Sequence, residues 1–172
     1  MTLAKDYNSV MGRSADIMKA SLGLDFNDFE SGSVAFDYEG LMEATGYTIE
    51  EIDRIQSRTG VGHTPLLELR NITALARKYA KPGYGARILV KDEAANASGS
   101  FKDRRAACAV AHAKKLGYKG VIAATSGNYG AAVASQAAMQ GMKCIIVQEC
   151  YDSKGVGQPE IVEKARKCEA LG

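Results

Sequence analysis

The chain has 172 residues, 46% of them apolar and 24% charged, proportions that exclude an intrinsically disordered, collagen-like or disulfide-dense protein. Its length suits one domain, or one domain with part of a second. Twenty-two Lys and Arg against twenty Asp and Glu leave a formal charge of +2 with both signs interspersed, so no basic field points to nucleic acid.

Residues 1–58 read as a polar, helix-rich extension broken by Gly23, Gly32, Gly40 and Gly46. Thr48 followed by Glu51 forms a capping box that opens a helix through Ile52 and Ile55. After the turn-like Gly60-Val61-Gly62, Thr64–Leu69 is an extended candidate and Ile72–Tyr79 a helix, stopped by Lys81-Pro82-Gly83. Arg87–Lys91 reads as a strand. A loop over 92–99 then leads into a long helix, from about Ser100 to Leu116, that ends at Gly117.

Gly120–Ala124 is a continuous apolar run suited to a strand buried on both faces. Ser126–Gly130 turns the chain into an Ala-rich helix as far as Met139, Gly141 closes it, and Lys143–Gln148 supplies another apolar strand. Pro159 opens a last helix through Ile161, Val162, Ala165 and Cys168. Alternation of this kind implies parallel strands joined by right-handed helical crossovers, hence an α/β fold with three layers. The stop at Ala170-Leu171-Gly172, where the next strand is due, reads as a chain truncated after residue 172.

Two loops carry chemistry. In the first, Asn96-Ala97-Ser98-Gly99-Ser100 is followed by Phe101-Lys102-Asp103-Arg104, which puts Lys102 in the first turn of a helix. The helix dipole disfavours a cation there, and neutral amine is the form that attacks a carbonyl; taken alone the signal is weak, and a solvated surface lysine is the better reading of Lys102. In the second, Thr125-Ser126-Gly127-Asn128-Tyr129-Gly130 joins the end of a strand to a helix start, where free backbone N–H groups favour a carboxylate or phosphate. The loop matches neither the dinucleotide fingerprint nor a P-loop. Arg104 and Arg105 read either as an anion site or as a structural pair, and His63 as a turn residue without a paired carboxylate. Cys108, Cys144, Cys150 and Cys168 lack the short spacings of a zinc site and read as buried or incidental thiols, so no metal is expected. No apolar run is long enough for a signal peptide or a membrane span, which makes the cytoplasm the default compartment.

In this order the two loops resemble the fold-type II pyridoxal-phosphate enzymes related to threonine synthase and the tryptophan synthase β subunit, over about residues 59–172 and including Thr64-Pro65-Leu66. The resemblance implies a tryptophan synthase β-like α/β fold with open parallel sheets, present here as an N-terminal fragment. It implies that residues 59–117 begin the larger, cofactor-binding domain and that 118–172 belong to a smaller subdomain that moves on substrate binding, with Gly127 and Gly130 absorbing the change. It assigns Lys102 to the Schiff base with pyridoxal 5′-phosphate, Asn128 to the cofactor's 3′ oxygen, and Thr125, Ser126 and Gly127 to the substrate carboxylate. The chain departs from many relatives at Ala97, where they carry proline, and the residues that bind the phosphate and face the pyridine nitrogen are expected beyond Gly172.

The segments Phe29–Gly40 and Asn71–Tyr79 resemble more narrowly a branch of that family that serves as the β subunit of an amino-acid-cleaving thiolase. This branch implies coenzyme A as co-substrate, a smaller α subunit as partner, and a hetero-oligomer. Threonine synthase, or an amino-acid dehydratase or deaminase, is the alternative within the family, and a non-catalytic structural module is the alternative outside it.

Overall fold

The computed structural model describes residues 6–32 and 35–172. Residues 1–5 lie outside them, as do Ser33 and Val34 of the segment that carries the narrower resemblance. The described residues form two compact units that divide between Glu51 and Ile52.

The first unit is built from short, locally capped pieces. It holds helices α1 (Tyr7–Met11), α2 (Ser14–Leu22) and α3 (Tyr38–Ala44) and a small antiparallel pair, β1 (Glu30–Ser31) and β2 (Ala35–Phe36), which the polar sequence did not suggest. Asp6 accepts from the Ser9 N–H at 2.8 Å and Asp37 from the Gly40 N–H at 2.9 Å, each satisfying a donor that its helix start leaves open. Gly40 is therefore not a break but a residue of the first turn of α3. Phe36 packs at ring-centroid distances of 4.7 Å from Phe26 and 4.8 Å from Tyr38. The expected capping box opens α4 (Ile49–Ser57): the Thr48 N–H donates to Glu51 Oε2 at 3.1 Å, and the Glu51 N–H to Thr48 Oγ1 at 3.2 Å.

The second unit contains β3 (Leu66–Glu68), α5 (Arg70–Tyr79), β4 (Leu89–Lys91), α6 (Lys102–Lys115), β5 (Gly120–Thr125), α7 (Asn128–Gln140), β6 (Lys143–Gln148) and α8 (Pro159–Ala170). The strands β5 and β6 pair in parallel, with Val121 opposite Cys144, Ile122 opposite Ile145 and Ala123 opposite Ile146, and α7 is their crossover. This is the α/β unit that the alternation of elements implies.

The strands β3 and β4 differ from that expectation, because they pair antiparallel, with Leu67 opposite Val90. The reason lies in the connection between α5 and β4. The stretch after the helix runs back along it, with Gly85 against Arg77, the Ile88 N–H donating to Thr73 Oγ1 at 3.0 Å and the Leu69 N–H to the Ile88 carbonyl at 3.0 Å, so the chain enters β4 from the opposite end.

Ala106 and Val110 of α6, Ala123 of β5, and Ala132 and Val133 of α7 form the core cluster, with Val121, Met142, Cys144 and Ile146 packed against it. Small side chains let α6 and α7 lie close over the sheet, and α7 is buried from Gly130 to Ala137. The outer face of the sheet is open: Ile122, Ile145 and Val147 are 70%, 62% and 53% exposed. Burial of β5 on both faces is therefore not found among the described residues, whose core has two layers rather than the expected three.

Candidate active site

The stretch that leads to Lys102 is anchored upstream. A single turn of 3-10 helix at Glu93–Ala95 follows β4, and the Glu93 carboxylate becomes the centre of a polar network. It accepts from Arg104 Nε at 2.7 Å and Nη2 at 2.9 Å, from Thr64 Oγ1 at 2.7 Å and from Asn96 Nδ2 at 3.0 Å. Asn96 uses its own oxygen to accept the Gly62 N–H at 3.0 Å, and Gln56 Nε2 reaches the Arg104 carbonyl at 3.1 Å. These donors, Arg104 first among them, hold the Glu93 carboxyl at a pKa of about 2, and the same pairing raises that of Arg104. Arg104 is thus a structural partner of Glu93 rather than an anion site. The local sequence pattern had no signal for this network, because Gln56, Gly62 and Thr64 lie about 30 or more residues before Glu93, Asn96 and Arg104.

Lys102 is the first residue of α6, as the helix-start reading requires. Ser100 Oγ accepts the Lys102 N–H at 3.2 Å, and the fully buried Asp103 accepts the Ser98 N–H at 2.6 Å. The Lys102 ammonium lies 4.5 Å from the centroid of the Phe101 ring, and among the described residues it forms no hydrogen bond or ion pair. Lys167 Nζ, from the last turn of α8, donates to the Ser98 carbonyl at 2.7 Å.

Asn128 is the first residue of α7, exposed at the carboxyl end of β5. The Gly127 N–H donates to Thr125 Oγ1 at 3.1 Å, so Thr125 shapes the turn while Ser126 stands exposed beside it. A Cβ on Gly130 would collide with Thr125 Cγ2 and stand 2.9 Å from Ile146 Cγ2. The absence of a side chain at Gly130 thus permits close packing of α7 on the strands. Arg105 stacks over the Tyr129 ring at 4.6 Å, so the first turns of α6 and α7 are in contact.

His63 does have a carboxylate neighbour. Its Nε2 lies 3.4 Å from Asp53 Oδ1 and 3.3 Å from Ser57 Oγ. Both contacts fall on the same ring nitrogen and His63 and Asp53 are exposed, so the trio lacks the two-sided relay of a catalytic triad. Burial raises the thiol pKa of Cys108, Cys144 and Cys168, which keeps them protonated at neutral pH. Among the described residues no group of His, Cys, Asp and Glu is arranged to hold a metal ion, and no helix is long and apolar enough to cross a membrane.

An amine that forms no hydrogen bond or ion pair among the described residues, at one helix start beside a second helix start with exposed polar groups, suits a cofactor that needs a lysine and an anion-binding turn. The chain belongs to the family of pyridoxal-phosphate dependent enzymes, whose profile matches residues 57–172. It is 75% identical, over 99% of its length, to a protein of Acetoanaerobium sticklandii named 2-amino-4-ketopentanoate thiolase beta subunit. A second protein of that name, from an unknown prokaryotic organism, is 67% identical over the same share. The chain spans 37% and 36% of the lengths of these two relatives. A threonine synthase of Halalkalibacterium halodurans is 42% identical over 51% of the chain, which covers 23% of that enzyme.

Proposed function

We propose that the protein to which these residues belong is the β subunit of a thiolase that cleaves 2-amino-4-oxopentanoate (2-amino-4-ketopentanoate) with coenzyme A, giving acetyl-CoA and alanine in ornithine degradation. A smaller α subunit completes the enzyme, and the cytoplasm is its compartment. The observation that carries this reading is identity of 75% over 99% of the chain to a protein of that name, in a chain where Lys102 and Asn128 head adjacent helices.

In this reading Lys102 holds pyridoxal phosphate through its Nζ, Asn128 donates to the cofactor's 3′ oxygen, and the turn Thr125-Ser126-Gly127 receives the substrate carboxylate. The α7 dipole and the free N–H groups of its first turn favour that anion. When bound, the cofactor supplies an electron sink next to the amino acid's α carbon. Lys102 would act as the base for the α proton and would return it to the α carbon of the released alanine. The thiol of coenzyme A adds to carbon 4, the bond between carbons 3 and 4 breaks, and the proton given up by the thiol is matched by one gained at carbon 3 of the released alanine. The attacking sulfur belongs to the co-substrate, so none of the four cysteines is needed as a nucleophile.

Residues 118–172 are assigned in the same reading to a smaller subdomain that closes on substrate. Ala106 and Val110 lie in one core with β5 and α7, so α6 travels with it. The test of function is a product assay on the full-length β subunit combined with its α partner. Acetyl-CoA from 2-amino-4-oxopentanoate and coenzyme A supports the thiolase; threonine from phosphohomoserine without acetyl-CoA formation replaces it with threonine synthase.

A further inference from the structure

The loop before Lys102 is held on both sides of one residue. The Ser98 N–H donates to the buried Asp103 carboxylate at 2.6 Å, and the Ser98 carbonyl accepts from Lys167 Nζ at 2.7 Å. The next peptide N–H, that of Gly99, donates to the Asn96 carbonyl at 2.8 Å, and Asn96 is itself fixed to Glu93 and Gly62. The Lys167 tie alone comes from α8, at a sequence separation of 69 residues.

We propose that Lys167 is a positioning residue for the lysine loop: its ammonium, brought by the last turn of α8, fixes the Ser98–Gly99 peptide and thereby the start of α6 from which Lys102 projects. Gly99 has φ +82°, and a peptide group that precedes glycine reorients at little steric cost. The N–H of this peptide is tied within the loop, while its carbonyl is tied only from α8 among the described residues. A charge-assisted hydrogen bond to that carbonyl is the device that selects one orientation. Because α8 packs on α7 and β6, the tie also makes the loop sensitive to any movement of the layer that carries Asn128. The inference rests on the reading of Lys102 as the cofactor lysine, and it adds a residue that acts through the loop without touching the reacting atoms.

The test uses the full-length β subunit with its partner, comparing Lys167→Met and Lys167→Arg with the wild type. Hydrogen–deuterium exchange in the cofactor-free protein reads the loop directly, and titration with pyridoxal phosphate reads its affinity. Loss of the tie in Lys167→Met is expected to speed exchange across residues 97–101 by roughly tenfold, the equivalent of about 1.4 kcal/mol, and to weaken cofactor binding severalfold. Exchange in the middle of α6 should not change, and Lys167→Arg should restore both readouts. Exchange within twofold of wild type in Lys167→Met, or Met and Arg variants that behave alike, overturns the inference. Should Lys167→Met not accumulate as folded protein, Lys167→Gln is read in the same way. Peptide mapping of the borohydride-reduced enzyme separates the two ideas: a label away from Lys102 sinks the catalytic reading whatever Lys167 does, and a label on Lys102 with an indifferent loop sinks only the tie.

Discussion

Glu93 shows how one carboxylate can organise the approach to a site. Its pKa of about 2, against an ordinary 4.5, means that the folded state favours the charged form. A group with a depressed folded pKa stabilises fully above its unfolded value, and the contribution is lost as pH falls from about 4.5 towards 2. At neutral pH, Glu93→Gln should therefore cost about 1–3 kcal/mol in denaturant unfolding, towards the lower end because Arg104 is partly exposed. The gap between wild type and variant should narrow through that acid window; a gap constant with pH would show that the charge is not its source. The cysteines make the opposite case. With burial holding Cys108, Cys144 and Cys168 as thiols, single Ser replacements should leave turnover within about twofold of wild type, since a protonated thiol is not a nucleophile. Loss of turnover in one of them would place a nucleophile where this account has none. At this scale the placement of Lys102 and Asn128 at helix starts was legible because a helix start is a local pattern. Glu93 was not, since what makes it matter is Thr64 and Arg104, neither of them a neighbour in sequence.

Elements were read well where local chemistry sets their ends. The Thr48–Glu51 box, Gly141 after α7 and Pro159 at the head of α8 all sit where capping rules put them. The β1–β2 pair escaped because its strands are too short to show an alternation. The antiparallel run of β3 and β4 escaped because the order of elements does not say how far the chain doubles back between them. Gly130 carries the sharpest consequence at this level. With Thr125 and Ile146 against the space that a methyl group would fill, Gly130→Ala should lower stability by about 1–3 kcal/mol through overpacking of α7 on β5 and β6. A shifted denaturation midpoint at unchanged slope would report this. Gly127→Ala meets no atom within 4 Å and serves as the control; equal losses in both variants would count against a packing role for Gly130.

For the whole molecule, α6, α7 and the parallel strands form one layered body whose helix starts face the same end of the sheet, which is where ligands bind in open α/β folds. The alternation of apolar runs with helical stretches made this body legible. The outer face, with Ile122, Ile145 and Val147 exposed among the described residues, was not legible as such, because an apolar strand reads the same whether one of its faces is covered or both, and the chain spans 37% of the length of its relative. Everything proposed for the reaction depends on Lys102 being the residue that carries the cofactor. Borohydride reduction of the full-length enzyme loaded with pyridoxal phosphate, followed by peptide mapping, tests this most directly: the account predicts the pyridoxyl label on Lys102 and its loss in Lys102→Ala, and a label on any other lysine would contradict it.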